Sequence, residues 1–144
     1  MEKELKRMQL FYVGALIDAL KQYDNNNILE KVTLEKEALQ KISAKGQLSY
    51  LQIKSIKELY DTFSNTFACA YWTLSEDDNQ ITSKTSTCLL CSLAKKQGIK
   101  MPCKIYCINP FKALAKELGY TLKVKETLWN TNQCVFEHKK IITK

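Results

Sequence analysis

The hydrophobic positions between Met1 and Tyr23 recur every three to four residues, as in an amphipathic helix. The apolar set is Leu5, Met8, Tyr12, Ala15, Leu16, Ala19, Leu20 and Tyr23. Charged side chains occupy most of the opposite face. The run Asp24–Asn27 is rich in residues that favour caps and turns, so we expect the helix to end there.

Two further helices are predicted before residue 65. The second runs from Ile28 to Lys45, with Gly46 at its C-terminal cap position. Its inward face is expected to contain Leu29, Val32, Leu39 and Ile42. The third has Ser49 as a candidate N-cap, and its apolar residues at helical spacing are Ile56, Leu59, Tyr60 and Phe63. We expect residues 1–64 to form one helical layer whose apolar faces belong to the core.

The pattern changes to strand-like segments at Phe67. The aromatic run Phe67–Leu74 predicts a strand, and the more polar run Gln80–Thr87 predicts a second strand that pairs back on it. Alternation resumes in Tyr120–Trp129, and Cys134–His138 follows after a turn rich in Asn and Thr. The sequence therefore predicts two β-hairpins.

Two short helices are predicted between the hairpins. One follows Cys88 and ends before Gly98; the other begins at Asn109, an N-cap followed by a proline at the first helical position. We expect the hairpins to merge into one antiparallel sheet of about four strands covered by helices, which is an α+β architecture. The chain is predicted to be a single domain, 1–144, with a helical layer at 1–64 and a cysteine-containing α+β part at 65–144.

Charge and hydropathy limit the classes of partner that we expect for this protein. The formal net charge is +7, but Arg7 is the only arginine and the lysines are spread along the chain among glutamates. Nucleic-acid sites need clustered basic side chains, so a solvated surface is the better interpretation. No apolar run is long enough to span a bilayer. The charged N-terminus does not match a secretory signal, so we expect a cytoplasmic protein whose thiols stay reduced.

Four of the six cysteines fall within twenty residues, as two close pairs. Cys88 and Cys91 are three apart at the start of a predicted helix, and Cys103 and Cys107 share a face if the link between them is one helical turn. Four thiolates can form a tetrahedral zinc site or hold an iron–sulfur cluster. The spacing matches no zinc-finger or ferredoxin pattern closely. Cys134 and His138, which lie later in the chain, are candidate additions to this metal site.

Other interpretations of the cysteines stay open. Free cysteine often behaves as a small buried hydrophobe, and we interpret Cys69 in this way. Cys88, whose thiolate a helix N-terminus can stabilise, is a candidate nucleophile, as is Cys103. Such a site needs a positioned base, and the only imidazole, His138, is expected on the surface. The aromatic side chains of the second half are expected mainly in the core, although such side chains also line apolar ligand pockets.

The order of features from Cys88 onward resembles a group of small-molecule-binding domains. The features are Cys88-Leu-Leu-Cys91-Ser-Leu-Ala, a link from Pro102-Cys103 to Cys107, a helix ending Glu117-Leu-Gly-Tyr120, and a return strand beginning Cys134-Val-Phe136. They are similar to the vinyl-reductase-type domain, the methanogen output domain and the L-2-amino-thiazoline-4-carboxylic acid hydrolase-like proteins. The resemblance implies helices packed on an antiparallel sheet, and a pocket for a small ligand or metal. The pocket residues that it implies are Cys88, Cys91, Cys103, Cys107 and Cys134.

Three functional hypotheses follow from these observations. The first is a cytosolic cysteine-cluster domain that binds a metal, an iron–sulfur cluster or a small hydrophobic ligand, with a sensor or accessory role. The second is a thiol-dependent hydrolase that acts on a small sulfur- or nitrogen-containing substrate. The third is an interaction module that uses the lysine-rich helices. We expect no membrane and no nucleic-acid partner, and homodimer formation is left open.

Overall fold

The computed structural model describes residues 2–142 of the chain. Its elements, in order, are α1 (Glu2–Asn25), α2 (Leu29–Leu51), α3 (Ile56–Thr62), β1 (Thr73–Asp77), β2 (Gln80–Thr85), α4 (Leu89–Lys96), α5 (Asn109–Glu117), β3 (Lys123–Glu126) and β4 (Cys134–Lys139). A first π-helical turn (Phe63–Phe67) continues α3, and a second (Lys104–Ile108) leads into α5. Within this range no helix is both long and apolar enough to cross a membrane.

The four strands form one antiparallel sheet in the order β1-β2-β4-β3. β1 pairs with β2 and β3 pairs with β4, so both predicted hairpins are present, and pairing between β2 and β4 joins them. On the inner face, buried side chains meet across β2 and β4 as the pairs Ile81/His138, Ser83/Phe136 and Thr85/Cys134. The predicted α+β fold, with helices before and between the strands, is confirmed.

Two apolar clusters form the core. The larger one joins α2, α3 and α5 to the sheet. It contains Tyr60, whose ring stacks on Phe111 with 4.9 Å between the centroids and meets Trp72 edge-on at 5.1 Å. The smaller cluster joins α1 to α4, and its buried members are Val13, Ile17, Leu90 and Ala94.

The inward faces predicted for the first two helices are partly wrong. Side chains of α1 are buried only from Val13 onward, so the apolar residues of its first half are exposed, including Leu5, Met8 and Tyr12. In α2, Leu39 is 63% exposed and Ile42 is 79% exposed. α5 packs against α2, and the α2 residues in the larger cluster are Ala44 and Leu48. Helical periodicity marks an apolar stripe but does not say which part of it a partner covers.

Two helix boundaries also differ from those predicted. α2 continues through Gly46 and ends where Gln52 adopts a left-handed conformation, with φ of 58°. The N-cap of α3 is Ser55, not Ser49, and its hydroxyl accepts a hydrogen bond from the Glu58 backbone N–H at 3.1 Å. The Glu58 carboxylate accepts one from the Lys54 N–H at 2.7 Å. These two bonds satisfy donors at the start of α3, so the helix begins six residues later than predicted.

The strand predicted at Phe67–Leu74 is mostly absent. The first π-helical turn ends at Phe67, the next residue, Ala68, has a φ of 55°, and the strand itself begins only at Thr73. An apolar aromatic run fits a buried irregular segment as well as a strand, so periodicity alone does not separate them. This difference matters because it changes the position of Cys69.

Candidate functional site

All six cysteines line a single cavity of about 70 Å³. They come from separate parts of the chain: Cys69 follows the first π-helical turn, Cys88 and Cys91 lie at the start of α4, Cys103 and Cys107 lie at the second π-helical turn, and Cys134 begins β4. Much of the remaining wall is apolar, with several aromatic rings from the two clusters. The structure therefore brings thiols that are up to 65 residues apart in sequence to one place.

The first cysteine pair lies at the start of a helix, as predicted. Cys88 is the N-cap of α4 in an extended conformation, and Cys91 lies in the first helical turn. The expected lowering of the Cys88 pKa by the helix N-terminus is wrong. Its hydrogen bond with Cys91 and its burial raise the pKa of Cys88 well above the usual range, and these effects outweigh the backbone N–H groups of Leu90 and Cys91.

The link that carries the second pair is helical. Cys103 precedes the second π-helical turn and Cys107 lies within it, so the two residues are about one turn apart and both line the cavity. Asn109 is not an N-cap, since its φ of −64° continues the helix. The ring of Pro110 would clash with the carbonyl of Tyr106 in a regular α-helix, and a wider π turn ahead of the proline avoids that clash.

Cys91 and Cys103 are both buried, and their Sγ atoms are 3.3 Å apart. A disulfide would need about 2.05 Å. Two thiolates on a tetrahedral zinc ion with bonds of about 2.3 Å lie about 3.8 Å apart. The observed separation therefore fits two reduced thiols joined by a hydrogen bond, in which either sulfur can be the donor. Cys88, Cys91 and Cys103 form a chain of thiol–thiol hydrogen bonds.

The other three thiols have different surroundings. Cys134 is buried, and the Leu128 N–H donates a hydrogen bond to its Sγ at 3.1 Å. Cys69 and Cys107 are half-buried and face the cavity. The backbone carbonyl of Cys69 accepts a hydrogen bond from the Leu89 N–H at 2.7 Å, which ties this segment to the start of α4. The interpretation of Cys69 as plain core is therefore wrong, because this residue belongs to the thiol-lined wall.

The surroundings of Cys69, Cys91, Cys107 and Cys134 disfavour their thiolate forms. The hydrogen bond with Cys103 is the main cause that raises the pKa of Cys91 to about 12. Burial raises the pKa of Cys69 to about 11, raises that of Cys134, and raises that of Cys107 well above its usual range. A nucleophilic cysteine needs thiolate at the working pH, and these surroundings disfavour it.

His138 lies in the core and does not line the cavity. Its side chain is fully buried, so the predicted surface position is wrong. Nε2 is 2.5 Å from the Tyr60 hydroxyl, and Nδ1 is 3.0 Å from the carbonyl oxygen of Thr121. Cys134 and His138 share a strand face, but four residues of strand separate them by about 13 Å. The structure therefore brings Cys134 to the other thiols and leaves His138 away from them.

Thr127 is a cavity residue that the sequence did not single out. Its side chain is 8% exposed and lines the cavity, and its Oγ1 has no hydrogen-bond partner among residues 2–142. A buried hydroxyl without a partner loses about 1–3 kcal/mol of hydrogen-bonding free energy. It gives the cavity one polar group that is available to a bound ligand.

Residues 2–142 contain no group of three or more His, Cys, Asp or Glu side chains already arranged to hold a metal ion. The four-thiolate site of Cys88, Cys91, Cys103 and Cys107 therefore stays a prediction. No protein-family model and no curated protein matches this chain. The resemblance to the vinyl-reductase-type and related domains stays a prediction as well.

Proposed function

We propose that this protein binds a soft metal ion through cysteine thiolates inside the cavity. The observation that carries the proposal is the convergence of all six cysteines on one space. Small buried hydrophobes would be spread over both apolar clusters and packed against neighbours without a void. Sulfur at each of these positions supplies polarisable ligands of the kind that zinc, copper(I) and iron–sulfur clusters prefer.

The size of the cavity supports a small occupant. Pockets for drug-sized ligands measure roughly 300–1,000 Å³. A volume of about 70 Å³ accommodates an ion or a few heavy atoms. This argues against a large hydrophobic ligand, although the apolar wall would also suit a very small one. The apolar wall would shield metal–thiolate bonds from water.

We assign the first two ligands to Cys91 and Cys103, because their sulfurs are already 3.3 Å apart. Cys88 is hydrogen-bonded to Cys91, and either Cys107 or Cys134 is available as a fourth ligand after a side-chain rotation. Each thiol would release its proton to the solvent on binding the metal. The role that fits best is that of a sensor or accessory domain in a reducing compartment such as the cytoplasm, where thiols persist.

The hydrolase hypothesis has less support. A cysteine hydrolase needs a base within hydrogen-bond reach of its nucleophile. The only histidine of the chain contacts Tyr60 and Thr121 with its two ring nitrogens and does not line the cavity. No observation on Cys88 or Cys103 favours covalent catalysis.

Elemental analysis and an absorbance spectrum of anaerobically purified protein test the proposal. The metal-free protein is then titrated with Zn²⁺ and with Cu⁺ against a competing chelator. We expect binding of one ion or cluster with a rise in melting temperature, since a ligand of the native state stabilises it. The double variant Cys91→Ser/Cys103→Ser should lose binding, whereas Cys69→Ser, the same change at a thiol outside the assigned set, should keep it. Wild-type protein that competes for neither ion would overturn the proposal, as would a double variant with unchanged stoichiometry.

A further inference from the structure

We propose that Cys91 and Cys103 form a reversible disulfide when a peroxide enters the cavity, so that the pair is a redox modification site. Their Sγ atoms are 3.3 Å apart, and 11 residues separate them along the chain. The sulfurs need to approach by about 1.2 Å to reach disulfide bonding distance.

The elements around the pair can accommodate that approach. Cys91 lies in the first turn of α4, and Cys103 comes just before the second π-helical turn. The segment between these elements, residues 97–102, is irregular and includes Gly98 at a φ of 67°. Rotation about the side chains and a small shift of this segment move the sulfurs without disturbing the sheet.

The cavity restricts which oxidant can reach the pair. Both side chains are buried and both line the cavity, whose volume of about 70 Å³ accommodates hydrogen peroxide but not a protein oxidoreductase. One thiol attacks the peroxide O–O bond, which gives a sulfenic acid and one water. The second thiol then attacks the sulfenic sulfur, which forms the S–S bond and releases a second water. The two sulfurs together lose two electrons and two protons, and the peroxide is reduced to water.

Cys88 is the competitor within the same cluster. It is hydrogen-bonded to Cys91, and Cys88-Leu-Leu-Cys91 has the spacing that redox proteins use for a disulfide. Cys103 differs from Cys88 because it belongs to another element, so its bond to Cys91 would tie α4 to the helical link. A bond to Cys103 would also block two of the assigned metal ligands. That effect on metal loading rests on the proposed function, whereas the disulfide itself does not.

The test uses metal-free wild-type protein and a small excess of hydrogen peroxide, followed by blocking of free thiols and trypsin digestion. Cleavage after lysine places both Cys88 and Cys91 in the peptide 85–95 and Cys103 in the peptide 101–104. Fragmentation of the joined peptides between Cys88 and Cys91 then shows which of these two sulfurs is bonded to Cys103. We expect the intact protein to lose the mass of two hydrogen atoms and these two peptides to be joined. Dithiothreitol should separate them. The end point is measured rather than the rate, because protonated thiols react slowly with peroxide.

Three variants sharpen the result. Cys103→Ser should abolish the joined peptides, whereas Cys69→Ser and Cys107→Ser should form them as wild type does. A bond confined to Cys88 and Cys91 in the wild-type digest would overturn the inference, and so would a bond from Cys88 to Cys103 or full reduction after exposure to peroxide. The wild-type digest decides this even if Cys103→Ser fails to fold. A disulfide in a protein that binds neither Zn²⁺ nor Cu⁺ would sustain this inference while the proposed function fails.

Discussion

The hydrogen bond between Tyr60 and His138 allows a stability prediction to be worked from the structure. Nδ1 of His138 faces a carbonyl oxygen, which only accepts, so Nδ1 carries the proton of the neutral ring. Nε2 is then the acceptor, and the Tyr60 hydroxyl donates to it at 2.5 Å. Both residues are almost fully buried. The substitution Tyr60→Phe keeps the ring that stacks on Phe111 and removes only the donor.

The loss of that donor leaves Nε2 buried without a partner, which costs about 1–3 kcal/mol. An unfolding entropy of about 2.1 cal/mol/K per residue gives about 0.3 kcal/mol/K for 144 residues. The melting temperature of Tyr60→Phe should therefore fall by about 3–10 °C.

Urea unfolding of the wild type and Tyr60→Phe, followed by tryptophan fluorescence and circular dichroism, measures the difference. Tyr71→Phe is the matched control, since Tyr71 is exposed and its loss of a hydroxyl should change the free energy of unfolding by less than about 0.5 kcal/mol. If Tyr60→Phe changes stability no more than Tyr71→Phe does, the assigned hydrogen bond contributes nothing and the reasoning fails.

Three further predictions concern pH, thiol reactivity and a helix cap. Burial is the main cause that lowers the pKa of His138, so the contribution of this residue to stability is present above its unfolded pKa of about 6.5 and is lost as the pH falls below it. Urea titrations at pH 7.5 and 5.5 should show this loss in wild type and not in His138→Gln. The prediction fails if the free energy of unfolding changes equally between the two pH values in both proteins. In metal-free protein at pH 7, iodoacetamide should modify Cys91 at least about tenfold more slowly than in urea-unfolded protein, and equal rates would refute the effect of its hydrogen bond with Cys103 and of its burial. Ser55→Ala should lower the free energy of unfolding by about 1 kcal/mol in urea titrations. Ser43→Ala, an exposed change within α2, is the control. Equal losses in the two variants would show that the cap does not stabilise the protein.

The sheet was predictable because its hairpins carry local signals. A polar turn separates Asp77 from Gln80, and alternating residues flank a second turn before Cys134, so strand pairing follows from neighbours in sequence. The burial of α1 and α2 was not predictable in the same way. It depends on where α4 and α5 come to lie, and those contacts join residues that are far apart in the chain.

The candidate site could be predicted where sequence spacing was sufficient. It could not be predicted where tertiary contacts decide which residues come together. The pairs Cys88/Cys91 and Cys103/Cys107 each lie on one helical turn, so their convergence followed from sequence spacing. Cys69 was missed because the aromatic run around it resembles a strand. Thr127 carries no local signal at all, since only the wall of the cavity shows that its hydroxyl has no partner within residues 2–142. No available pattern in the sequence identifies that residue.

The composition of the cavity wall supports the proposed binding function. Space left between the side chains of a closed core costs about 24 cal/mol per Å³, and this cavity measures about 70 Å³. Valine at positions such as Cys107 would add apolar volume and recover part of that free energy, yet the chain has cysteine at six places around the void. A wall of thiols gives up stability that a better-filled core would provide, and a ligand that binds sulfur would restore it. The stability lost to the thiol-lined wall, set against the stability that a bound ligand would add, favours a binding site over a core that happens to be rich in cysteine.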